Sequence, residues 1–227
     1  MNQVVQKASR PTRKSGAARV APPRTHDPDR TRADILQVAM TEFADKGLSG
    51  ARIDAIADAT RTSKRMIYYY FESKEGLYLA VLEEAYRRIR RTEGDLQLDN
   101  LPPEDALRRL VEFTFDHHAG NEEFIRIVMN ENIERGKYLS QSQIIEDLNV
   151  PAIDAIGRIY ERGRAAGVFR EGLDPIDIHA SISALTFFNV SNQYSFGRIF
   201  KRDLVTSAAR AVRRANIVEM LVRFVRR

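Results

Sequence analysis

The chain has 227 residues, 43% of them hydrophobic, and its 36 lysines and arginines against 31 acidic residues give a formal net charge of +5 at pH 7. This length allows a small and a medium-sized domain, and the charge favours a polyanionic partner without identifying one. The lack of cysteine excludes disulfides and thiolate metal sites, and no apolar run or N-terminal segment resembles a membrane span or signal peptide, so we expect a cytoplasmic protein with no membrane contact.

Residues 1–26 form a basic, proline-containing segment. They hold six lysines or arginines, no acidic residue and few large apolar side chains, so we predict a disordered basic arm. Two interpretations stay open. In one, the arm contacts DNA by following the backbone or reaching into a minor groove; in the other, it is a solvated tail with little effect at physiological salt.

The first predicted helix begins at Asp27, which can cap it, with Pro28 at its first position. Apolar residues then recur at helical spacing until the helix ends at Lys46-Gly47. These residues are Ile35, Leu36, Ala39, Met40, Phe43 and Ala44.

Residues 53–74 read as two short helices around a polar turn. Apolar residues recur before and after that turn, namely Ile53, Ile56 and Ala57 in one helix and Ile67, Tyr70 and Phe71 in the next. Ser63 can cap the second helix. On its other face Lys64 lies one turn from Tyr68, and Arg65 lies one turn from Tyr69. Cations and hydroxylated rings on one stripe suit phosphate oxygens and base edges, so this pair predicts a helix-turn-helix that reads a major groove.

The pattern I-A-x-x-x-x-x-S-K-x-x-x-Y-Y-Y-F-x-S-K-E-x-L, from Ile56 to Leu77, resembles the tetracycline-repressor (TetR) family of bacterial regulators. The resemblance implies an all-α protein with a three-helix DNA-binding domain over residues 27–73 and a larger helical ligand-sensing and dimerising domain over residues 74–227. It also implies repression of a double-stranded DNA operator that a small molecule of unknown identity relieves. It would place Lys64, Arg65, Met66 and Tyr68 on bases and Tyr69, Tyr70 and Lys74 on phosphates.

The chain departs from the family pattern at two places. The turn reads Thr60-Arg61-Thr62 where the family usually has Ala-Gly-Val. Either Arg61 takes a left-handed conformation at a cost of about 1 kcal/mol or the turn is rebuilt, and in both cases Arg61 can contact a phosphate. Ala51 stands where a capping threonine is common, and Arg52 is a candidate to compensate for it.

The remaining predicted helices have capped starts. Ser73 can cap a helix from Lys74 to about Arg91, which connects the two domains as a lever. The later helices run from Pro102-Pro103 to about Ala119, from Glu122 to Arg135 with Asn121 as cap, through a pattern interrupted by Pro151 and ending at Ala166-Gly167, from Asp174-Pro175 to about Tyr194, and from Thr206 to Arg226. The resemblance implies that the last two pair with their copies in a homodimer through a four-helix bundle. The apolar stripe of the final helix comprises Val212, Ile217, Met220, Leu221, Phe224 and Val225.

Candidates for a ligand pocket are aromatic and amide side chains of the middle helices. Phe113, Phe115, Phe124, Met129, Phe187 and Phe188 would line it, and Asn130, Asn132, Asn189 or Tyr194 would orient the ligand. For each residue taken alone, ordinary core packing is the stronger interpretation.

No cofactor or metal site is predicted. His118 and Glu122 have the spacing to share a helix face, but a solvated helix end is the favoured interpretation of His117 and His118. The chain also lacks the phosphate-loop, dinucleotide-binding, nucleophile-elbow and zinc-protease motifs, so we do not expect an enzyme.

Two functions agree with these patterns. The favoured one is a ligand-responsive repressor that binds a palindromic operator as a homodimer. The alternative is a DNA-binding architectural or adaptor protein of the same fold whose second domain binds another protein. A dry, closed cavity of several hundred cubic ångströms among the middle helices would favour the first, and a filled core with an exposed apolar patch would favour the second.

Overall fold

The computed structural model describes residues 27–227, and the predicted basic arm lies outside them. Within the described part every regular element is a helix, apart from one isolated β-bridge between Phe169 and Arg226. The α-helices are α1 (Pro28–Gly50), α2 (Ile53–Thr60), α3 (Lys64–Phe71), α4 (Lys74–Gly94), α5 (Pro103–Gly120), α6 (Glu122–Ile133), α7 (Gln143–Ala165), α8 (Pro175–Ser191), α9 (Gln193–Phe200) and α10 (Ser207–Val225). The predicted all-α fold is confirmed. None of the helices in residues 27–227 combines the length and apolar character needed to cross a bilayer.

Side-chain caps fix most of the predicted helix starts. The carboxylate of Asp27 accepts from two backbone N–H groups of α1, and the hydroxyls of Ser63, Ser73 and Thr206 each accept from the N–H three residues on. The prediction for Asn121 was wrong. Its amide donates to the carbonyl oxygen of His117 at 2.8 Å, which satisfies the end of α5 instead of the start of α6.

Two helix boundaries differ from the sequence prediction, and a third agrees with it. Pro151 lies inside a continuous α7, where its ring is exposed and the carbonyl one turn back belongs to an exposed Asp147, so water can replace the lost hydrogen bond. The helix from Pro175 ends at Ser191, and a separate α9 follows. Gly47 has φ +65°, which breaks the helical path of α1 where the sequence placed its end.

The apolar side chains form two cores. The first joins α1, α2, α3 and the first part of α4, and it also takes in Ile127 of α6 and Tyr138 and Ile145 around the start of α7. The second joins α5, α7, α8 and α10. The first core therefore extends past residue 73, and α1, α2 and α3 pack directly against α4, α6 and the start of α7.

Polar contacts between α1 and α6 reinforce this packing. Arg126 donates from Nε to the carbonyl oxygen of Ala44 at 2.9 Å, and the amide of Asn130 donates to that of Phe43 at 3.2 Å. These carbonyls lie in the turn of α1 that ends at Gly47, where intrahelical partners run out. Residues of α6 thus cap the end of α1.

The close packing between the end of α3 and the first turn of α4 can be tested at Gly76. A methyl group on Gly76, in the first turn of α4, would collide with the carbonyl oxygen of Phe71 and lie 3.3 Å from the Ser73 hydroxyl that caps the helix. We expect Gly76→Ala to lower the free energy of unfolding by about 1–3 kcal/mol in urea denaturation. Gly94→Ala is the control, because a methyl at the end of the same helix meets no atom within 4 Å. Equal losses in both variants would contradict the assigned packing.

Candidate nucleic-acid interface and ligand cavity

The turn between α2 and α3 is built without glycine. Arg61 has φ 52° and ψ 35°, so of the two alternatives left open for this turn the structure has the left-handed arginine. Its N–H donates to the carbonyl oxygen of Asp58 at 3.2 Å, and that of Thr62 donates to Ala57 at 3.0 Å. The side-chain hydroxyl of Thr60 donates to the carbonyl oxygen of Ile56 at 2.7 Å. The strain of one left-handed arginine is thus offset by closed hydrogen bonds around the turn.

Helix α3 separates a buried face from an exposed one. Ile67 and Phe71 are buried in the first core. The opposite face exposes Lys64, Arg65 and Tyr68 together with Tyr69, whose exposed fraction is 76%. The two cations and two hydroxylated rings predicted to share a stripe therefore share one.

The other predicted DNA residues surround this stripe in different environments. Arg52, Arg61 and Ser63 are exposed, and Ser63 accepts from the N–H of Met66 as the helix cap. Met66, Tyr70 and Lys74 are half-buried. The ammonium of Lys74 donates to the carbonyl oxygen of Ser49 at 3.3 Å, which ties the start of α4 to the end of α1. DNA contacts by all of these residues stay a prediction.

An acidic residue that sequence reasoning missed lies beside the stripe. Asp54, in the first turn of α2, forms an ion pair with Lys64 and lies 3.9 Å from a guanidinium nitrogen of Arg52. Exposed pairs of this kind are worth about 0–1 kcal/mol, so a phosphate group can replace the carboxylate. The sequence could have indicated this ion pair, because Asp54 lies two helical turns before the polar connection between α2 and α3, which Lys64 follows.

A cavity of about 930 Å³ lies among α4, α5, α6, α7 and α8. Its walls are mostly apolar, and the short 3-10 turn Leu139–Gln141 closes one side. The apolar lining includes Tyr86, Ile89, Leu110, Phe124, Val128, Ile145, Ile153, Ile156, Ile182 and Phe187. Its size and apolar character are those of small-molecule sites.

The predicted pocket residues only partly match this cavity. Phe124 and Phe187 line it, whereas Phe113, Phe115, Met129, Asn130, Asn132, Phe188, Asn189 and Tyr194 do not. Phe115 packs in the second core, and Phe188 and Tyr194 are exposed. The amides of Asn130 and Asn132 donate to the carbonyl oxygens of Phe43 and Val128. Helical spacing identifies the apolar faces of α5, α6 and α8 but not which side chains border a cavity between them.

Polar groups of the cavity come largely from residues that the sequence analysis did not select. Arg90 and Glu93 of α4, His179 of α8 and Asn149 of α7 line it, as does His118 of α5. The prediction that His118 lies at a solvated helix end was wrong, because α6 and α8 cover it and leave it 5% exposed. The spacing of Tyr86, Ile89, Arg90 and Glu93 on one face of α4 was the available signal.

Two buried contacts hold the cavity wall at residues 138–142. Glu131 of α6 accepts through Oε1 from the backbone N–H groups of Tyr138 and Leu139, at 2.6 and 3.0 Å. The hydroxyl of Ser142 donates to Oε1 of Glu83 in α4 at 2.7 Å. This wall is thereby tied to both α6 and α4.

Comparison with known families gives matches over both halves of the chain. A model described as bacterial regulatory proteins, tetR family, matches residues 35–81, and one described as tetracyclin repressor-like, C-terminal domain, matches residues 103–221. The HTH-type transcriptional repressor NicS of Pseudomonas putida is 35% identical over 216 residues, which cover 95% of this chain and 99% of that protein.

Solved structures give the same fold. A crystal structure of the putative transcriptional regulator SCO4942 from Streptomyces coelicolor matches with a TM-score of 0.64 and 26% identity, over 86% of this chain and 98% of that one. A tetR-family regulatory protein from Rhodococcus RHA1 matches with a TM-score of 0.67 and 23% identity, over 86% and 97% of the two chains.

The exposed stripe of α3 generates a prediction about sequence reading. We expect Arg65→Ala to cost about 1–3 kcal/mol on a DNA site selected from random sequence and to relax preference at one base pair, because a bidentate contact with a guanine edge is lost. Tyr69→Phe removes one hydroxyl from the same stripe and should weaken all DNA sequences nearly equally. Titration against single-base-pair variants of the site measures both effects. Unchanged affinity and preference in Arg65→Ala would remove this residue from the reading surface.

Proposed function

Because the chain belongs to the tetracycline-repressor family of bacterial transcriptional regulators, we propose that it represses transcription by binding a palindromic operator as a homodimer and that a small molecule in the cavity releases it. The observation that carries the release step is the cavity of about 930 Å³ beside α4. The cavity is open to solvent where the exposed Gln141 and Val150 line it, so it is not the closed cavity that the sequence analysis set as the criterion. It supports the ligand-responsive function because the adaptor alternative expects a filled core.

In this proposal α3 enters the major groove. Lys64, Arg65, Met66 and Tyr68 face the bases, and Tyr69, Tyr70 and Lys74 hold phosphates, with Arg52, Arg61 and Ser63 at the flanks. Lys64 exchanges the carboxylate of Asp54 for a DNA group on binding, since the exposed ion pair is weak. The exposure of the stripe and the secured turn beneath it support this arrangement.

The dimer uses the uncovered apolar faces of α8 and α10. Along α8, an exposed stripe recurs every four residues at Ile176, Ala180, Ala184 and Phe188. On α10, Ile217, Leu221 and Val225 are buried in the chain's own core, whereas Val212, Met220 and Phe224 remain exposed. Half of the predicted stripe of α10 is therefore free to meet a second copy, and twofold pairing matches a palindromic site.

A ligand that binds in the cavity would change the position of the DNA-binding half through two series of contacts. The first runs through the wall at residues 138–142, which Ser142 joins to Glu83 in α4. The second runs through α6, because Phe124 and Val128 line the cavity, while Arg126 and Asn130 of the same helix bond to α1. Both α1 and α4 carry the reading pair, so a shift of either changes the separation of the two reading helices in a dimer.

The operator itself provides the first experiment. DNA fragments selected by the full-length protein should contain two inverted half-sites with centres about 34 Å, or one helical turn, or a multiple of it, apart. A single unrepeated site bound by one monomer would contradict the proposal.

Charge on the exposed face of α10 tests the dimer. Met220→Glu should bury an unpaired carboxylate in the interface and cost several kcal/mol, roughly 3–5, so sedimentation should show monomers and operator binding should weaken. Ile133→Glu is the control, because Ile133 is an exposed apolar residue at the end of α6, outside the proposed interface. A Met220→Glu protein that stays dimeric would place the interface elsewhere.

The release of DNA by a ligand can be tested by measuring how operator and ligand change each other's affinity. A hundredfold loss of operator affinity on ligand binding corresponds to about 2.7 kcal/mol, and operator DNA must then weaken the ligand by the same factor. The ligand is obtained from a thermal-shift screen and its affinity is measured by calorimetry with and without DNA. We expect Glu83→Ala to reduce this coupling factor, because it cuts the contact between the cavity wall and α4, whereas Asp147→Ala on the exposed side of α7 should leave it unchanged. A tight ligand with equal affinity in both conditions is not the effector.

A further inference from the structure

His118 presents one buried and one accessible nitrogen in the wall of the cavity. Its ring stacks on Phe124 with centroids 5.9 Å apart and meets Phe187 edge-on at 6.0 Å. Nδ1 is fully buried and has no hydrogen-bond partner within residues 27–227. The side chain lines the cavity and is 5% exposed. The nitrogen with access to the cavity is therefore Nε2.

The position of the ring proton follows from this burial. Burial lowers the pKa of His118 to about 3, with further lowering by His117 and Arg90, so the ring is neutral at physiological pH and carries one N–H. A proton on Nδ1 would be a buried donor without an acceptor, and such donors are rarer in proteins than unpaired acceptors. The proton thus belongs on Nε2, which makes His118 a hydrogen-bond donor to the cavity.

A cationic donor lies in the same wall. Arg90 donates hydrogen bonds from Nη1 to the carboxylate of Glu93 and from Nε to Oδ1 of Asn149, the latter at 3.0 Å. Its Nη2 makes no hydrogen bond in the described part of the chain. Arg90 contributes, after burial, to the lowered pKa values of both His118 and His179, so its charge acts across the cavity. Glu93 is neutralised by Arg90, and the other carboxylates of the lining, Glu146 and Asp154, belong to exposed residues.

We propose that the cavity takes an amphipathic carboxylate, with an apolar body against the helix walls and its acceptor oxygens on Nε2 of His118 and Nη2 of Arg90. This inference rests on the proposed function, in which the cavity is the effector site. A carboxylate accepts hydrogen bonds only, and its bond with a guanidinium is charge-assisted. An ammonium group has only donors, so it would leave the Nε2 proton of His118 unpaired and face a like charge on Arg90, and its carboxylate partners in the lining, Glu146 and Asp154, belong to exposed residues away from this pair.

Matched ten-carbon probes test the class of the ligand. Calorimetry of the full-length protein should show that decanoate binds at least roughly tenfold more tightly than decylamine, with 1-decanol between them. His118→Phe keeps the stacked ring and should weaken decanoate by roughly tenfold or more while changing 1-decanol by less than about threefold. His117→Phe is the control, because the neighbouring ring does not line the cavity. Failure of decanoate to bind, equal binding of decylamine, or no effect of His118→Phe would overturn the proposal.

The tautomer is testable on the unmodified protein. Long-range proton–nitrogen spectra should show His118 protonated at Nε2, with its signal identified by its loss in His118→Phe and shifted by decanoate. Protonation at Nδ1 would overturn the proposal. A non-carboxylate that fills the cavity and releases DNA would overturn it too while leaving the proposed function in place. Tight decanoate binding without any change in DNA affinity would instead support the carboxylate site and contradict the release step.

Discussion

The capping of α1 by α6 is the contact on which the arrangement of both halves depends. Arg126 and Asn130 donate to the carbonyl oxygens of Ala44 and Phe43 in the turn of α1 that ends at Gly47, and each hydrogen bond of this kind contributes about 0.5–1.5 kcal/mol. The same seam is apolar around these bonds, since Ile127 belongs to the core of the DNA-binding half. Helix α1 in turn carries α2 and α3. The exposed face of α3 is therefore held against the later helices through α1 and α6 as well as through α4.

Helix α4 joins the same two parts by a second route. Its capped first turn supports α3, and about three turns later Tyr86, Ile89 and Arg90 border the cavity. With two connections, bending α4 alone would strain the seam between α1 and α6. Under the proposed function, a ligand in the cavity would have to bind the released state more tightly by at least the free energy of rearranging both connections. The cavity lies where it touches both, between the second half of α4 and α6.

The reading surface is less basic in the free protein than its sequence indicates. Asp54 holds Lys64 and lies near Arg52, so the positive charge next to the turn is partly neutralised. An exposed carboxylate at this place weakens contacts with phosphates in general, but the weak pair yields where Lys64 gains a good partner. Separating Lys64 from Asp54 costs the same free energy on every DNA sequence, and only a site that offers Lys64 a well-placed partner offsets that cost. The ion pair therefore favours discrimination between DNA sites over uniform attraction to DNA.

The features that could be predicted from the sequence are those that depend on local interactions. The caps at Asp27, Ser63 and Ser73 and the exposed face of α3 each depend on residues within a turn or two of one another, so spacing alone predicted them. The left-handed Arg61 was one of two alternatives raised by the departure from the family pattern, and the structure decided between them. The cavity depends on five helices that converge from separate parts of the chain. Periodicity marks the apolar face of each helix but carries no information on where those faces leave a void, so only Phe124 and Phe187 were found in advance. Burial of His118, its pairing with phenylalanines from α6 and α8, and the position of Arg90 were decided by tertiary packing, because each side chain acquires its partners only when distant helices meet.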